Sequence, residues 1–235
     1  GVTSAVILVE TLQLLGAATL VYLPHREREG YGLNVEAVRY LSDQGAKLLV
    51  TCDCGVANVT QVAAARELGL KVVVTDHHQP QAELPPAEAI LHPSLSGETY
   101  PFKSLSGGGV AFKFAQGLLR YDGCHLSEHE REVHEKWLLD LVAISTIADM
   151  VPLTGESRTL TKFGLTVLRK TRRLGLQELV RAAALNPARL DSHSIGFQIA
   201  PRINAAGRLD HANAAYALLT ASDTATAQEL ARSLN

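Results

Sequence analysis

Short runs of β-branched and aliphatic residues alternate with amphipathic segments over the first 95 residues. The pattern predicts strands at residues 19–23, 47–52, 71–75 and 89–91, and helices at residues 3–15, 35–42 and 57–68. Asn34 is the predicted N-cap of the second helix. Strands and helices that alternate at this spacing are typical of βαβ units, so we predict an α/β fold with a parallel β-sheet and helices on both faces.

The composition changes after Pro93. A segment rich in Ser, Gly and Pro leads to three consecutive glycines, residues 107–109, and helical periodicity continues from there to the end. The glycines either cradle a phosphate or allow a helix to enter, and helix entry is favoured because the Lys-Ser/Thr ending of a P-loop is missing. Ser127 and Glu130 predict a capping box before a long helix. We therefore divide the chain into an α/β part, residues 1–95, and a mainly helical part, residues 96–235.

Acidic residues and histidines follow two of the predicted strands directly. Asp53 follows the strand at 47–52, and Asp76, His77 and His78 follow the strand at 71–75. Neighbouring parallel strands end at the same edge of a sheet, so these side chains are expected to share a crevice. Carboxylates and imidazoles suit Mn²⁺, Mg²⁺ or Zn²⁺, which predicts a metal site. The alternative is a histidine that only satisfies a backbone carbonyl.

Two further polar passages interrupt apolar surroundings. Asp149 lies near the end of a predicted helix, where it either caps the next turn, meets an arginine such as Arg158, or binds a metal ion in the crevice. Arg202, Asn204 and Arg208 lie among small residues, and arginine matches phosphate oxygens well. Salt bridges to nearby aspartates would explain these arginines equally well.

Composition and charge narrow the class of protein. Hydrophobic residues make up 46% of the 235 residues and charged residues 20%, with a net charge of −2, which gives no overall electrostatic footprint for nucleic acid. The apolar segment 2–23 contains Glu10 and Gln13 and predicts neither a signal peptide nor a membrane span. Three cysteines favour a reducing cytoplasm over a disulfide framework. Cys52 and Cys54 are interpreted as buried small residues rather than as metal ligands.

The order of these motifs resembles a known family. The passages at residues 51–55, 75–78, 148–153 and 200–209, together with residues 22–33, are similar to successive motifs of the DHH phosphoesterase superfamily, and within it of the RecJ single-stranded-DNA exonucleases. The resemblance implies a hydrolase that degrades single-stranded DNA from the 5′ end to 5′-mononucleotides in DNA repair and recombination. A helicase or a single-strand-binding protein is an implied partner, and a membrane is not.

The resemblance also implies roles for individual residues. The metal ligands of a two-ion Mn²⁺ or Mg²⁺ site would be Asp53, His77 and Asp149. Asp76 and His78 would be catalytic. Asp76 would orient the site or share in coordination, and His78 would face the scissile phosphate. The implied contacts to phosphate or DNA are Arg26, Tyr31, Arg202, Asn204 and Arg208.

The chain departs from the family pattern at both ends. It opens on Gly1 where the family has an aspartate-rich first motif, and it stops at Asn235 where the family continues into a DHH-associated domain. We therefore expect little or no nuclease activity from these 235 residues alone. The alternatives are another DHH phosphoesterase, acting on oligonucleotides, cyclic dinucleotides or pyrophosphate, and a non-catalytic replication scaffold of the same fold.

Overall fold

A computed structural model describes residues 1–25, 29–205 and 212–234. Its elements in the first part of the chain are α1 (Val2–Leu14), α2 (Val35–Asp43), β1 (Leu48–Cys52), α3 (Val59–Glu67), β2 (Lys71–Thr75) and β3 (Ala89–Leu91). The described strands form one parallel sheet in the order β1-β2-β3. In register, Leu48 pairs with Lys71 and Cys52 with Thr75, so β1 and β2 end side by side.

Alternating strand residues face two different layers of helices. Leu49, Val72 and Val74 pack with α2 and α3 in one buried cluster. Val50 and Cys52 point the other way, towards a larger cluster that includes α1 and the later helices. The predicted α/β class, with a parallel sheet and helices on both faces, is therefore confirmed.

The remainder of the described chain is helical. Its elements are α4 (Gly107–Leu119), α5 (Glu128–Ala148), α6 (Gly155–Leu168), α7 (Leu174–Ala182), a 3-10 turn (Pro187–Arg189), α8 (Ser192–Ser194), a π-helical turn (Ile195–Ile199), α9 (Ala200–Ala205), α10 (Ala212–Leu219) and α11 (Thr224–Ser233). The capping box of Ser127 and Glu130 begins α5 as predicted. The division of the chain at residue 95 stays a prediction. Among the described residues, no helix has the length and hydropathy that a membrane span requires.

One predicted strand is wrong. Residues 19–23 run without regular secondary structure, although they are as apolar as the true strands. A strand needs a hydrogen-bonding neighbour, and a cavity of about 1550 Å³ is lined both by this segment and by the edge strand β1. The backbone of residues 19–23 therefore has no described strand beside it.

A second prediction needs a smaller correction. The helix expected at 57–68 begins at Val59, two residues later. Asn58 occupies the N-cap position but makes no capping bond, because its side-chain amide exchanges hydrogen bonds with the backbone of Leu33. Asn34 caps α2 as predicted by accepting from the amide of Ala37 at 2.7 Å.

Candidate metal centre

Three predicted metal ligands converge at the carboxyl edge of the sheet. Nε2 of His77 lies 3.0 Å from Oδ1 of Asp53 and 3.2 Å from Oδ2 of Asp149. Asp53 follows β1, His77 follows β2, and Asp149 follows the last residue of α5. Asp149 thus lies in the crevice beside His77, where the metal-binding interpretation of this residue requires it to be. His78 offers a ring nitrogen to the same cluster, in which the ligand atoms of Asp53, His77 and His78 lie within 4.8 Å of one another.

The backbone at Asp53 has an unusual conformation. Its φ of 61° is in the left-handed region that residues other than glycine rarely adopt. The amide of Asp53 still donates to the carbonyl of Thr75 at 2.9 Å, so the turn away from β1 begins at a fixed point. Such conformations concentrate at functional sites, where the surrounding structure holds them in place.

Two buried polar atoms at the site show whether a metal ion would fit. Oδ1 of Asp53 and Nε2 of His77 are inaccessible to solvent, and neither has a partner in hydrogen-bond geometry although they face each other at 3.0 Å. Unsatisfied buried polar atoms are costly and call for a ligand. Because a carboxylate oxygen and an imidazole nitrogen are common donors to divalent ions, the residues present fit a metal ion.

The electrostatics of the site favour a cation. Burial alone would raise the pKa of Asp53, but the hydrogen bond and the charge of His77 act in the opposite direction, and the pKa lies below its ordinary value. Burial would lower the pKa of His77, but Asp53, followed by Asp149 and Asp76, raises it.

Asp76 points away from the cluster and into the loop. Its carboxylate accepts hydrogen bonds from the backbone amides of Val56 (2.9 Å), His77 (2.8 Å) and His78 (3.2 Å), and it lies 2.7 Å from Nδ1 of His78. The residue is only 1% exposed. Of the two roles expected for Asp76, this geometry matches orienting the site rather than coordination.

Three other predicted site residues are described by the structure. The Tyr31 hydroxyl donates to the carbonyl of Asp53 at 2.8 Å, and it lies 3.2 Å from Nε2 of His78. Asn204 lines the same cavity as Asp53 and Asp149. Arg202 is partly buried and donates to the carbonyl of Gln198 at 2.8 Å.

Four further residues were assigned from the sequence, two as DNA contacts and two as buried cysteines. Arg26 and Arg208 lie outside the described residues. Cys52 and Cys54 are free thiols, and burial raises the pKa of each to about 12, which keeps them protonated. Because thiolate is the form that binds metals, their surroundings match the interpretation as buried small residues.

One residue at the site, His92, was missed from the sequence, and the role of a second, Gly107, was seen only as helix entry. His92 is buried, donates from Nε2 to the carbonyl of His78 at 2.7 Å, and accepts at Nδ1 from the amide of Ser94. His92 is the first residue after β3, just as Asp53 and Asp76 are the first residues after β1 and β2. Gly107 begins α4, where a methyl group on its Cα would overlap the carboxylate of Asp53. The three glycines thus allow close packing at a helix entry.

Comparison with known proteins defines the class. The model of the DHH family, N-terminal domain, matches residues 1–146, and the chain belongs to this family. Over all 235 residues it is 45% identical to the single-stranded-DNA-specific exonuclease RecJ of Bacillus subtilis, and it covers 28% of that protein. The resemblance found in the sequence is therefore confirmed.

Solved structures give the same family. A crystal structure of exonuclease RecJ bound to manganese matches the whole chain with a TM-score of 0.86 and 37% identity, and the chain covers 57% of it. RecJ of Thermus thermophilus in complex with Mn²⁺ matches with a TM-score of 0.81 and 35% identity, with 32% of it covered. The chain thus spans between about a quarter and a little over half of the relatives it matches.

Proposed function

We propose that the chain is the metal-binding part of a single-stranded-DNA exonuclease that hydrolyses phosphodiester bonds from the 5′ end to 5′-mononucleotides. The observation that carries the proposal is the convergence of Asp53, His77 and Asp149, in which Oδ1 of Asp53 and Nε2 of His77 are buried and 3.0 Å apart without hydrogen-bond geometry. RecJ relatives that match the whole chain, two of them bound to manganese, support the substrate and the choice of ion.

Each residue has a role in this proposal. Asp53, His77 and Asp149 would hold Mn²⁺ or Mg²⁺, which when bound supplies activation of water and stabilisation of phosphate charge. Asp76 fixes the loop that carries His77 and His78, so that the ligand atoms stay in place. His78 is exposed and is held by Asp76 at Nδ1, which leaves Nε2 available to face the substrate.

The same residues set an expectation for the 235-residue chain alone. The described residues gather Asp53, His77 and Asp149 around a single position, which suits one ion. In-line phosphoryl transfer of the two-metal type uses a pair of ions about 3.5–4 Å apart. We therefore expect the isolated chain to bind one ion and to cleave DNA slowly or not at all.

The decisive experiment transfers the chain into an active relative. The chain replaces its 235-residue counterpart in RecJ of Bacillus subtilis, and the release of mononucleotides from 5′-labelled single-stranded DNA is measured with Mn²⁺ and with Mg²⁺. We expect degradation that is lost on Asp53→Asn and kept on Asp122→Asn, a matched change at an exposed position. A folded, Mn²⁺-binding chimera that leaves single-stranded DNA intact would contradict the proposal.

Further substrates separate the alternatives. Degradation of cyclic dinucleotides or pyrophosphate in preference to long single strands would favour another DHH phosphoesterase. Metal-independent binding of DNA without cleavage would favour a scaffold. A cytoplasmic location, expected from the cysteine content, and a helicase or single-strand-binding protein as partner, expected from the resemblance, remain predictions.

A further inference from the structure

An exposed aromatic pair joins α8 to the π-helical turn that follows it. The ring of Phe197 stacks on that of His193, with centroids 4.7 Å apart and an interplanar angle of 29°. Phe197 is 73% exposed, far more than a phenylalanine that serves the core. A large apolar ring held in one orientation at the surface is suited to stack on a second flat group.

The aromatic pair belongs to a continuous exposed stripe. His193, Phe197, Pro201 and Asn204 are all exposed and follow one another at spacings of four, four and three residues, which places them on one helix face. Pro201 and Asn204 also line the cavity that contains Asp53 and Asp149. The stripe therefore runs from the cavity that contains Asp53 and Asp149 to Phe197.

A π-helical turn sets the direction of the Phe197 side chain. Residues Ile195–Ile199 form this turn, in which the amide of Ala200 donates to the carbonyl of Ile195. Ile195 and Ile199 are buried in the same cluster as Ile144, with Ile147 packed against it, so the turn is braced against the end of α5. Single π-turns within helices occur frequently at functional sites.

We propose that Phe197, backed by His193, is a stacking platform for a base of the single-stranded DNA whose backbone enters the metal centre. The proposal rests on the proposed function. Seven residues separate Asn204 from Phe197, a rise of about 10 Å, which corresponds to roughly three nucleotides at the stacked spacing of about 3.4 Å. Phe197 would thus position the strand without touching the scissile phosphate.

The chemistry of the platform identifies what it recognises. A phenyl ring offers no hydrogen bonds to base edges, and every base presents a π-face, so the contact is tolerant of sequence. Stacking of this kind contributes about 1–3 kcal/mol per base, or about 5-fold to 150-fold in affinity. A single strand fits this contact because the bases of a duplex are already stacked on one another.

The test combines a protein change with a DNA change. Binding of the 235-residue chain to a 15-nucleotide dT strand, and to an abasic strand of the same length, is measured for the wild type and for Phe197→Ala. We expect Phe197→Ala to weaken binding to dT by about 5-fold or more and to leave binding to the abasic strand unchanged. Phe163→Ala, at another exposed phenylalanine on α6, is the matched control and should bind both strands as the wild type does.

A spectroscopic readout detects stacking directly. The chain has one tryptophan, so Phe197→Trp and Phe163→Trp each add a single new fluorophore. We expect dT to quench the fluorescence of Phe197→Trp and to leave that of Phe163→Trp unchanged. Wild-type binding to dT that survives Phe197→Ala, without quenching of Phe197→Trp, would overturn the platform and leave the proposed function standing. Absence of any binding to dT by the wild type would overturn both.

Discussion

Gly107 and Asp53 are packed so closely that a methyl group on the Cα of Gly107 would occupy the space of the Asp53 carboxylate. Helix α4 therefore reaches the metal centre only because its first residue has no side chain. The amide of Gly107 also lies 3.4 Å from Oδ2 of Asp149. One glycine thus sets the spacing between two of the proposed metal ligands.

Gly107→Ala should weaken Mn²⁺ binding by at least tenfold, because Asp53 must move away from His77. Gly117→Ala on the same helix is the matched control, since its Cβ would meet open space. The control should bind Mn²⁺ normally and raise the free energy of unfolding by about 1 kcal/mol, as alanine is the better helix former. Calorimetric Mn²⁺ titration and thermal unfolding measure the two effects. Normal Mn²⁺ affinity in Gly107→Ala would show that the contact is not needed.

Asp76→Ala should reduce both stability and metal affinity. The change leaves the buried amide of Val56 and the partly buried amide of His77 without their acceptor, and a fully buried group of this kind costs about 1–3 kcal/mol. The loop that presents His77 would also loosen, and loss of support of this kind typically lowers metal affinity about 10-fold to 100-fold.

Asp76→Asn keeps an acceptor oxygen and the size of the side chain, so it should lose less stability and less Mn²⁺ affinity than Asp76→Ala. Chemical denaturation and Mn²⁺ titration of the two variants give the comparison. A variant Asp76→Ala with unchanged stability and weaker Mn²⁺ binding would instead mean that Asp76 coordinates the ion.

The sequence predicted the two strand ends well, for a physical reason. Asp53 and His77 follow apolar runs directly, and parallel strands bring their carboxyl ends together whatever the loops do. By contrast, the closeness of Gly107 to Asp53 joins residues more than 50 positions apart, and no local pattern records it. Residues 19–23 have the composition of a strand, but strand formation also depends on a neighbour that composition does not specify.

His134 gives the stability of the helical region a pH dependence. Burial lowers its pKa, the charge of Arg173 adds to this, and Glu10 and Glu135 act in the opposite direction. A lowered pKa means that the folded state prefers neutral imidazole. The contribution to stability is therefore complete above the unfolded pKa of about 6.5, and it is lost as the pH falls towards the lowered folded value.

His134→Gln should remove this contribution. The free energy of unfolding of the wild type should therefore fall relative to that of the variant as the pH drops below about 6.5. His129→Gln, at an exposed position on the same helix, is the matched control. Urea denaturation between about pH 5 and pH 8 measures the three proteins. A difference between wild type and His134→Gln that is constant over this range would contradict the assignment.

The most direct test of the metal centre is Mn²⁺ binding to the purified 235-residue chain. The chain is titrated with Mn²⁺ in parallel with His77→Ala, Asp149→Asn and the exposed control His129→Gln, and binding is followed by calorimetry and by the electron paramagnetic resonance signal of free Mn²⁺. We predict one bound ion in the wild type and in His129→Gln, and affinity lowered by at least tenfold in His77→Ala and Asp149→Asn. Equal Mn²⁺ affinity in all four proteins would contradict a metal centre built from Asp53, His77 and Asp149.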